Sequence, residues 1–508
     1  MRRNLLINIS MTTILFLVIA CGKEDVIIEP EPLTRDCLIE VFGLKVGEAV
    51  YLPVDTTAGY CIICVSKDVD ITRMTPIFRI DSQDTLKVNN VIIESNKAEL
   101  DFSDVHNGLV LKVTSSDFKS KENRVKVVNT DIPVVSVNTP EACVISDKEH
   151  WIGDANIIIW EPERGVVYND TTNIKGRGNY TWTYPKKPYA LKLNRKEELL
   201  GLTKHKRFCL LACWKGLIGN YYMAEVAKRC TGNPWVPQGK FVEFVLNGNF
   251  QGLYYLSEQI KVDKNRVNIK ELKSSDVGGA EITGGYLLEL DEEFDEDYKF
   301  RSEIYQMPVM LKSPDENVPQ EQLDFIKGFV NSMELELSKI GSEKSNYQDY
   351  LDINSFADYW MASEVIYCYE VKKPRSFYMY KGRDGIDSTP GSICKMKAGP
   401  FRDQEWVYVE HWWNNKDAHY FGALFKDDDY RTTVKNRWKQ FRDNLEGRGA
   451  YPHVIESINS IYKKISYSAH RDSVFWQNDA QLYHDVKILN EGFTSKLDWM
   501  EEFINTLE

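Results

Sequence analysis

The stretch that decides the fold lies in the middle of the chain, at residues 241–269, and reads FVEFVLNGNFQGLYYLSEQIKVDKNRVNI. Aromatic and β-branched residues alternate along its first six positions, which is the pattern of a half-buried strand. Asn247-Gly248 is a turn dipeptide that tolerates the positive φ angles of a tight hairpin, and residues 252–256 supply the returning strand. The stretch therefore predicts a β-hairpin. Glu258 follows the returning strand, and alternating acidic and basic residues come after it. By themselves these charges indicate only a solvent-exposed segment after the hairpin.

The N-terminus has the pattern of a lipoprotein signal peptide over residues 1–21. Arg2 and Arg3 give a positive start, an apolar run follows over residues 5–20, and Cys21 comes directly after it. The run is shorter than the roughly 20 residues that a membrane-spanning helix needs, and a small residue precedes the cysteine. We therefore expect cleavage before Cys21 and acylation of its thiol, in preference to a short transmembrane anchor.

Two further parts follow the signal peptide. Residues 22–34 are charged and contain prolines, so we expect an extended tether. Residues 35–131 contain short apolar or alternating runs with turn residues between them, which predicts a β-sandwich. A short polar connection at residues 129–132 is expected to be open to proteases, because it would join two separately folded parts.

Cysteines do not indicate a metal or redox centre. Cys61 and Cys64 lie within one apolar strand-like run, which favours buried packing or an opportunistic disulfide. Without Cys21, nine of the 10 cysteines remain, an odd number that cannot be fully paired.

Composition excludes several classes of function. Hydrophobic residues make up 43% and charged residues 27%, which is typical of a globular protein. The net charge of −12 argues against nucleic acid as a partner, because phosphate backbones bind basic surfaces. The eight histidines show no paired metal spacing and no G-x-S-x-G elbow is present, so little supports a hydrolase.

Basic residues after residue 132 are candidates for binding phosphate. In the KGRGN segment at residues 175–179, two glycines around Arg177 would let backbone amides approach an anion. A tight turn with an exposed arginine is the alternative interpretation. Residues 188–193 predict a strand whose alternation separates Lys192 from three apolar neighbours, and Lys186 and Lys187 are the alternative lysines.

Carboxylates later in the chain are candidates for metal binding and proton transfer. The segment 399–406 reads GPFRDQEW, and Asp403 and Glu405 on an extended chain point the same way and can share a cation. Glu370 lies six residues before Ser376, and a further strand is predicted directly after it, at residues 378–381. The acidic loop at residues 291–297 is expected to be a solvated connection, with a divalent cation as the alternative.

Together these segments resemble the spore-coat CotH-type kinase family, from about residue 132 to the C-terminus. Several long motifs in the right order make the resemblance specific. In chain order, the matching blocks are IKGRGNYTW and PKKPYALKL (174–193), LLGLTKHKRFCLL (199–211), the central stretch (247–269), GGYLLELD (284–291), KPRSFYMYK (373–381) and KAGP (397–400).

The resemblance implies an α+β fold. A kinase-like domain would occupy residues 132–430, with its C-terminal helical part at 431–508, and an immunoglobulin-like β-sandwich would precede it at 35–131. It also implies the following site residues: catalytic Glu370 and Lys192; nucleotide-binding Lys175, Arg177, Lys192 and Glu258; and Mg²⁺-binding Asp403 and Glu405.

The sequence departs from the family pattern near the implied metal site. Arg402 replaces a tryptophan and Gln404 a phenylalanine, while Glu405 replaces the second aspartate. Residues 214–220 also lack the acid and arginine that the family usually has before its helix. Octahedral Mg²⁺ tolerates misplaced ligands poorly, so these changes favour a weak or inactive enzyme.

The leading hypothesis is a membrane-anchored phosphotransferase that uses ATP and Mg²⁺ to phosphorylate Ser or Thr of a protein. It would be an outer-membrane lipoprotein of the bacterial cell envelope, and the acidic residues after Cys21 favour exposure at the surface. ATP is scarce outside the cytoplasm, so the rival hypothesis is a non-catalytic, kinase-shaped surface protein that binds a protein or glycan partner.

Overall fold

The computed structural model describes residues 39, 41–114, 120–230, 235–402, 407, 415–478 and 482–507. Over these residues the fold is mixed α+β, as the sequence predicts. The predicted signal peptide, Cys21 and the tether lie outside the described residues, as do Asp403 and Glu405. In the part of the chain that is described, no helix is long and apolar enough to cross a membrane.

The N-terminal part is built from two β-sheets around one apolar core. The sheets have the strand orders β2-β1-β5 and β3-β4-β9-β8-β6-β7. Their shared core includes the fully buried Leu44, Ile63, Leu111 and Val127. The strands are β1 (Val41–Val46), β2 (Ala49–Tyr51), β3 (Pro53–Asp55), β4 (Tyr60–Val65), β5 (Thr75–Arg79), β6 (Thr85–Val88), β7 (Val91–Ile92), β8 (Leu109–Thr114) and β9 (Ser120–Asn129).

Cys61 and Cys64 are both buried on β4, and no disulfide joins them. Cys61 packs in the core between the two sheets, whereas Cys64 packs against the next part of the chain. Side chains three apart on a strand point to opposite faces. The interpretation as packing residues is therefore confirmed.

Residues 134–258 form a closed barrel of seven strands with the order β10-β11-β12-β13-β14-β16-β15. Ile174, Leu191, Phe208 and Leu256 belong to the apolar cluster in its interior. A helix, α1 (Gly219–Ala227), lies between β14 and β15. The strands are β10 (Val134–Asn138), β11 (Ile152–Glu161), β12 (Gly165–Gly176), β13 (Tyr189–Glu197), β14 (His205–Leu211), β15 (Gly239–Leu246) and β16 (Asn249–Glu258).

The hairpin predicted from the central stretch is confirmed as β15 and β16. Its turn residues Asn247 and Gly248 have φ angles of 49° and 69°, the left-handed conformation that a two-residue hairpin needs. Leu246 and Asn249 close the ladder. The hairpin then seals the barrel, because β15 pairs in parallel with β10.

A five-stranded sheet and six helices make up the rest of the described residues. The sheet has the order β18-β19-β17-β20-β21. Leu288, Leu290 and Met379 on one side of it pack into the helical core, and the other side packs on residues 260–269, which lead out of the barrel. The elements are β17 (Tyr286–Leu290), β18 (Lys299–Arg301), β19 (Pro308–Ser313), α2 (Gln320–Lys339), α3 (Ile353–Val365), β20 (Phe377–Lys381), β21 (Lys397–Ala398), α4 (Phe421–Leu424), α5 (Asp428–Leu445), α6 (Val454–Trp476) and α7 (Leu482–Asn505).

Local signals explain where several helices begin. Asp352 precedes α3 and accepts a hydrogen bond from the Ser355 amide at 3.0 Å, and Asp427 does the same for Tyr430 before α5 at 2.9 Å. Each carboxylate satisfies an amide that the first helical turn leaves unpaired.

The N-terminal sheets pack directly on the barrel. Ile62, Val128 and Phe250 share an apolar cluster at this contact, and Ser136 and Asn138 of β10 donate to the buried carboxylate of Asp55. A buried acid without such donors would destabilise the contact. The two parts therefore share an interior surface.

The connection between the two parts is buried. Thr130 and Ile132 are 0% and 1% exposed, and Arg471 of α6 donates to both Asn129 and Glu243. The sequence predicts a connection open to proteases, and this expectation is wrong because α6 covers the segment. The domain boundary itself, between residues 131 and 132, stays a prediction.

Candidate active site between the barrel and the sheet

A buried charged cluster lies on the barrel-facing side of the five-stranded sheet. Glu289 of β17 is 4% exposed and sits between two cations. Lys312 Nζ lies 3.2 Å from one of its carboxylate oxygens, and Arg402 Nη1 lies 3.4 Å from the other. A bulge opposite Leu287 and Leu288 makes Lys312 the extra residue of β19. Lys312 follows Met310, the partner of Glu289 in the ladder, by two residues, so strand alternation places both on the Glu289 face.

The neighbours of Lys312 keep it charged. Burial disfavours the ammonium, but Tyr378, Glu289 and Glu296 outweigh burial and raise the pKa of Lys312. Tyr378 lies opposite Glu289 on β20, and its hydroxyl accepts a hydrogen bond from Arg402. Arg402 is therefore fixed to the sheet at two points.

A second carboxylate ends the same strand. Asp291 accepts hydrogen bonds from the amides of Glu293 at 2.9 Å and Ser376 at 3.1 Å. Burial, helped by the charge of Glu289, raises the pKa of Asp291. The bond to Ser376 fixes the acidic loop to the segment that carries Glu370.

Glu370 lies in a short 3-10 turn, Tyr369–Val371. Burial, together with the charge of Glu370, raises the pKa of the Tyr359 hydroxyl. The Tyr359 ring stacks on Phe401 with ring centroids 4.1 Å apart and planes at 4°. Glu370 is therefore near the segment that ends at Phe401 and Arg402. Its catalytic role stays a prediction.

The opposing wall comes from the outer face of the barrel. Lys175 Nζ and the Arg207 guanidinium lie 5.1 Å and 4.9 Å from the Trp151 ring, a cation–π arrangement. Lys192 lies across from Arg207 in the ladder. Burial lowers the pKa of Lys175 and of Arg207. No acceptor among the described residues lies within hydrogen-bond distance of these three cations, so they are available to an anion.

Two contacts hold the walls together. Asn179 Nδ2 donates to Asp295 at 2.9 Å, and Lys261 Nζ lies 2.5 Å from Asp315. The first contact joins the KGRGN turn to the acidic loop. Lys175 also feels the charge of Glu296, which places the barrel cations opposite the acidic loop.

Two backbone amides of the KGRGN turn already have acceptors within the protein. The Gly176 amide donates to Asp147 at 3.0 Å and the Arg177 amide donates to Pro188 at 3.2 Å. A Cβ on Gly176 would lie 2.5 Å from the Trp182 ring, so this glycine serves packing. The predicted approach of an anion to these two amides is therefore wrong. The role of the partly exposed Arg177 side chain stays a prediction.

The structure separates the alternative lysines. Lys186 is fully buried, where it binds the Leu253 carbonyl and the Asp472 carboxylate, and Lys187 binds the Trp182 carbonyl. Both ammonium groups have internal acceptors, so Lys192 is the lysine of this strand that faces the cleft.

Glu258 has a structural environment. It is 4% exposed, and its carboxylate accepts the amides of Thr203 at 2.6 Å and Gln238 at 2.9 Å. These bonds fix the loops at the end of the hairpin. A direct nucleotide contact by Glu258 stays a prediction.

The described carboxylates alone do not form a metal site. No group of three or more possible metal-ligating side chains occurs among the described residues. Glu289 fits a metal poorly because Lys312 and Arg402 already neutralise it. The predicted ligands Asp403 and Glu405 follow Arg402 and lie outside the described residues. The fit to an anionic substrate is better, because the barrel cations lack acceptors.

Sequence reasoning did not select Arg207, Trp151, Glu289 or Lys312 as site residues. Arg207 could have been found, because alternation along LTKHKRFCLL places it on the face opposite Phe208. Lys312 could also have been found, because alternation along residues 309–312 places it on the face opposite Val309 and Leu311. Trp151 lies in a loop without a periodic pattern.

Comparisons with known proteins agree with these motifs. A family model described as CotH kinase protein matches residues 174–506. No curated protein matches the chain. A crystal structure from Bacteroides thetaiotaomicron, provisionally described as a glycoside hydrolase, is 16% identical, with 37% of this chain and 54% of that chain covered and a TM-score of 0.19. The chain thus spans about half of that protein, and the likeness is too low to bear on fold. Since the family model covers more than half of the sequence, the chain belongs to the CotH kinase family.

Proposed function

We propose that the protein is a kinase-like phosphotransferase that binds ATP between the barrel and the five-stranded sheet. The observation that carries the proposal is the barrel wall of Lys175, Lys192 and Arg207, whose charges have no described acceptor. Partly buried cations without a hydrogen-bonded acceptor favour a polyanion, because an ionic contact is stronger where water is partly excluded. Family membership supports the same reaction class.

In this proposal the chain supplies positioning and proton transfer. Lys175, Lys192 and Arg207 bind the phosphates and orient the terminal phosphorus toward the acceptor. The hydroxyl oxygen of a Ser or Thr forms the new bond to that phosphorus, and the bond to the leaving diphosphate oxygen breaks. Glu370 accepts the hydroxyl proton. Mg²⁺, when held by Asp403 and Glu405, neutralises phosphate charge.

We further propose that this site is displayed at the bacterial cell envelope. The support is the sequence of residues 1–34, in which an apolar run ends at Cys21 and a charged tether follows. The immunoglobulin-like assignment of the N-terminal sheets belongs to the same proposal. Cys21→Ser should move the protein from the membrane fraction to the soluble fraction, and an unacylated wild-type protein would contradict the anchor.

A specific observation favours the non-catalytic alternative. Arg402 stands where the resemblance implies tryptophan, and its guanidinium binds Glu289 and Tyr378. A fixed cation beside Asp403 competes electrostatically with a metal ion. In that case the cleft would bind a protein or glycan partner without transferring phosphate.

Calorimetric titration with ATP, with and without Mg²⁺, distinguishes the phosphotransferase from the non-catalytic alternative. We expect the wild type to bind Mg²⁺–ATP, and Asp403→Asn and Arg207→Met each to weaken binding about tenfold or more, as loss of a charge-assisted contact does. Arg164→Met is the matched control, because Arg164 is an exposed barrel arginine that pairs with Glu161.

The control should bind like the wild type. Equal affinities in all four proteins would remove Asp403 and Arg207 from the site. Absence of binding in the wild type would favour the non-catalytic alternative.

A further inference from the structure

Two of the barrel cations meet at one aromatic ring. Trp151 directly precedes β11, and the pairing of Ile152 with Ile174 places it beside Lys175 near the end of β12. The centre of the Trp151 ring lies 5.1 Å from Lys175 Nζ and 4.9 Å from the guanidinium carbon of Arg207. Because Lys175 is on β12 and Arg207 is on β14, the ring reaches cations on either side of β13.

The strand between the two cations carries a small residue at this level. Lys175 pairs with Ala190 of β13, and Ala190 pairs with Cys209 of β14. Arg207 precedes Cys209 by two residues, so strand alternation places both on the same outer face. The short side chain of Ala190 therefore leaves the space that a ring needs to contact both cations.

The ring holds two like charges together without neutralising them. Burial lowers the pKa of Lys175, and the charge of Arg207 adds to the shift. A carboxylate between the two cations would relieve their repulsion, but it would also cancel the charge that attracts an anion. An indole attracts cations through its electron-rich face and carries no net charge. The acids that act on the two cations from farther away are Glu149, Glu296 and Asp147 for Lys175, and Asp315 and Glu316 for Arg207.

We propose that Trp151 is a positioning residue of the phosphate site, whose ring holds Lys175 and Arg207 together with both charges available to one polyphosphate. The inference rests on the proposed function and identifies how that site is arranged before ATP binds. The planar guanidinium can then make a two-point contact with phosphate oxygens, and the ammonium adds a point charge. A side chain that is already ordered loses less entropy on binding, so the ring increases affinity without touching the phosphates.

Two other roles for Trp151 lead to different results. A ring that only fills space would contribute to folding, and a side chain of the same shape would replace it fully. A ring that stacks on the base of ATP would contribute to binding only when a base is present. Inorganic triphosphate carries the phosphates without a base or sugar, so it separates positioning of the cations from base stacking.

Calorimetry with inorganic triphosphate and with ATP, both in the presence of Mg²⁺, compares the wild type with Trp151→Phe and Trp151→Leu. We expect Trp151→Leu to weaken binding of both probes about fivefold or more, because two cation–π contacts are lost. Trp151→Phe should give an intermediate affinity, since a benzene ring attracts cations less strongly than an indole. Tyr451→Leu is the matched control, because it removes a ring that lies 5.3 Å from the Arg229 guanidinium, away from the barrel wall.

Fluorinated tryptophans at position 151 test the electrostatic role without a change of fold. Each added fluorine withdraws electron density from the ring face and weakens its attraction for a cation. The affinity for inorganic triphosphate should therefore fall stepwise from tryptophan through its mono-, di- and trifluorinated forms, while the melting temperature changes little. The series applies even if Trp151→Leu does not fold, because the indole is retained.

The outcomes separate the positioning role from the proposed function. Equal triphosphate affinity across the fluorinated series would overturn the positioning role and leave the ring as packing. Loss of ATP affinity with unchanged triphosphate affinity would also overturn it, because the ring would then contact the base. The phosphotransferase proposal would stand in both cases. If the wild type bound neither triphosphate nor ATP, the phosphate site itself would be contradicted, and the positioning role with it.

Discussion

Individual lysines on one short segment have opposite roles. Lys186 is sequestered with Asp472 and the Leu253 carbonyl, whereas Lys192 is partly exposed on the cleft side of β13. Periodicity predicts the direction of Lys192, because Leu191 and Leu193 must face the barrel core. It cannot reveal the partner of Lys186, because Asp472 lies 286 residues later in the chain.

Lys186→Met should destabilise the protein strongly without a direct effect on the cleft. Removing one member of a buried ion pair leaves an uncompensated charge and costs about 3–5 kcal/mol. Lys192→Met, the matched control on the same segment, should change the free energy of unfolding by about 0.5 kcal/mol or less. Urea unfolding measures both.

Nucleotide titrations should give the opposite ranking of the two variants. Lys192→Met should weaken binding, whereas folded Lys186→Met should bind like the wild type. Equal loss of stability in the two variants would contradict the assignment of Lys186 as structural.

Asp485 should make stability depend on pH. Burial raises the pKa of this carboxyl from its ordinary 3.8 to about 7. Between pH 4 and 7 the folded state therefore holds a proton that the unfolded chain has released. The free energy of unfolding falls as pH rises through this window, by at most about 4 kcal/mol.

Asp485→Asn cannot ionise, so it should raise the melting temperature at pH 8 and change it little at pH 4. Asp498→Asn on the same helix is the control, because Asp498 is exposed and pairs with Arg442. Calorimetry measures the melting temperature of both variants at both pH values. An equal rise in the melting temperature of Asp485→Asn at pH 4 and pH 8 would contradict the role of ionisation.

The elements that local sequence patterns predict best are those that depend only on neighbouring residues. The central hairpin, the strand at residues 60–65 and helix α2 follow from alternation, turn residues and helical periodicity. The candidate site is less predictable. Glu289 and Lys312 come from neighbouring strands and Arg402 from a later loop, and no periodic pattern in the sequence shows that these segments meet.

Gly248→Ala should disrupt the contact between the hairpin tip and the N-terminal sheets. Gly248 has φ +69°, and an added Cβ would lie 2.1 Å from the Tyr60 ring. Gly165→Ala is the matched control, because Gly165 has φ +68° and no atom within 4 Å of its Cβ position. Both variants bear the left-handed strain of about 1 kcal/mol, and overpacking adds about 1–3 kcal/mol at Gly248 alone.

Chemical denaturation of the two glycine variants measures the difference. Equal destabilisation of Gly248→Ala and Gly165→Ala would show that the Tyr60 ring moves aside without loss of stability.

Across the whole molecule, the N-terminal sheets, the barrel and α6 depend on one another. Arg471 of α6 binds Asn129 and Glu243, and Ile62 and Val128 pack with Phe250 of the barrel. Sequence patterns indicate a change of architecture near residue 131, but they contain no signal for the surface that covers it. The change of architecture between the N-terminal sheets and the barrel is therefore easier to predict from the sequence than the contact between them.

The intact protein should unfold in one calorimetric transition, and proteases should not cut within residues 129–132 of the folded protein. Arg471→Met should lower the melting temperature and increase cleavage in this segment, because Glu243 is fully buried and would lose its charged partner. Arg448→Met, which removes an exposed arginine from the loop before α6, is the control. Cleavage of the wild type at residues 129–132 would contradict the prediction.

The parallel pairing of β10 with β15 also sets an order of events during synthesis. Val134 emerges from the ribosome more than a hundred residues before its partner Glu243. Until then the edge of β10 that pairs with β15 has no partner strand. The Lys186–Asp472 ion pair cannot form until α6 has been made. Long-range pairing of this kind slows folding and leaves sheet edges accessible to other chains. The barrel of a nascent chain can therefore close only after residues 239–246 have been made, and Lys186 gains its buried partner only with α6.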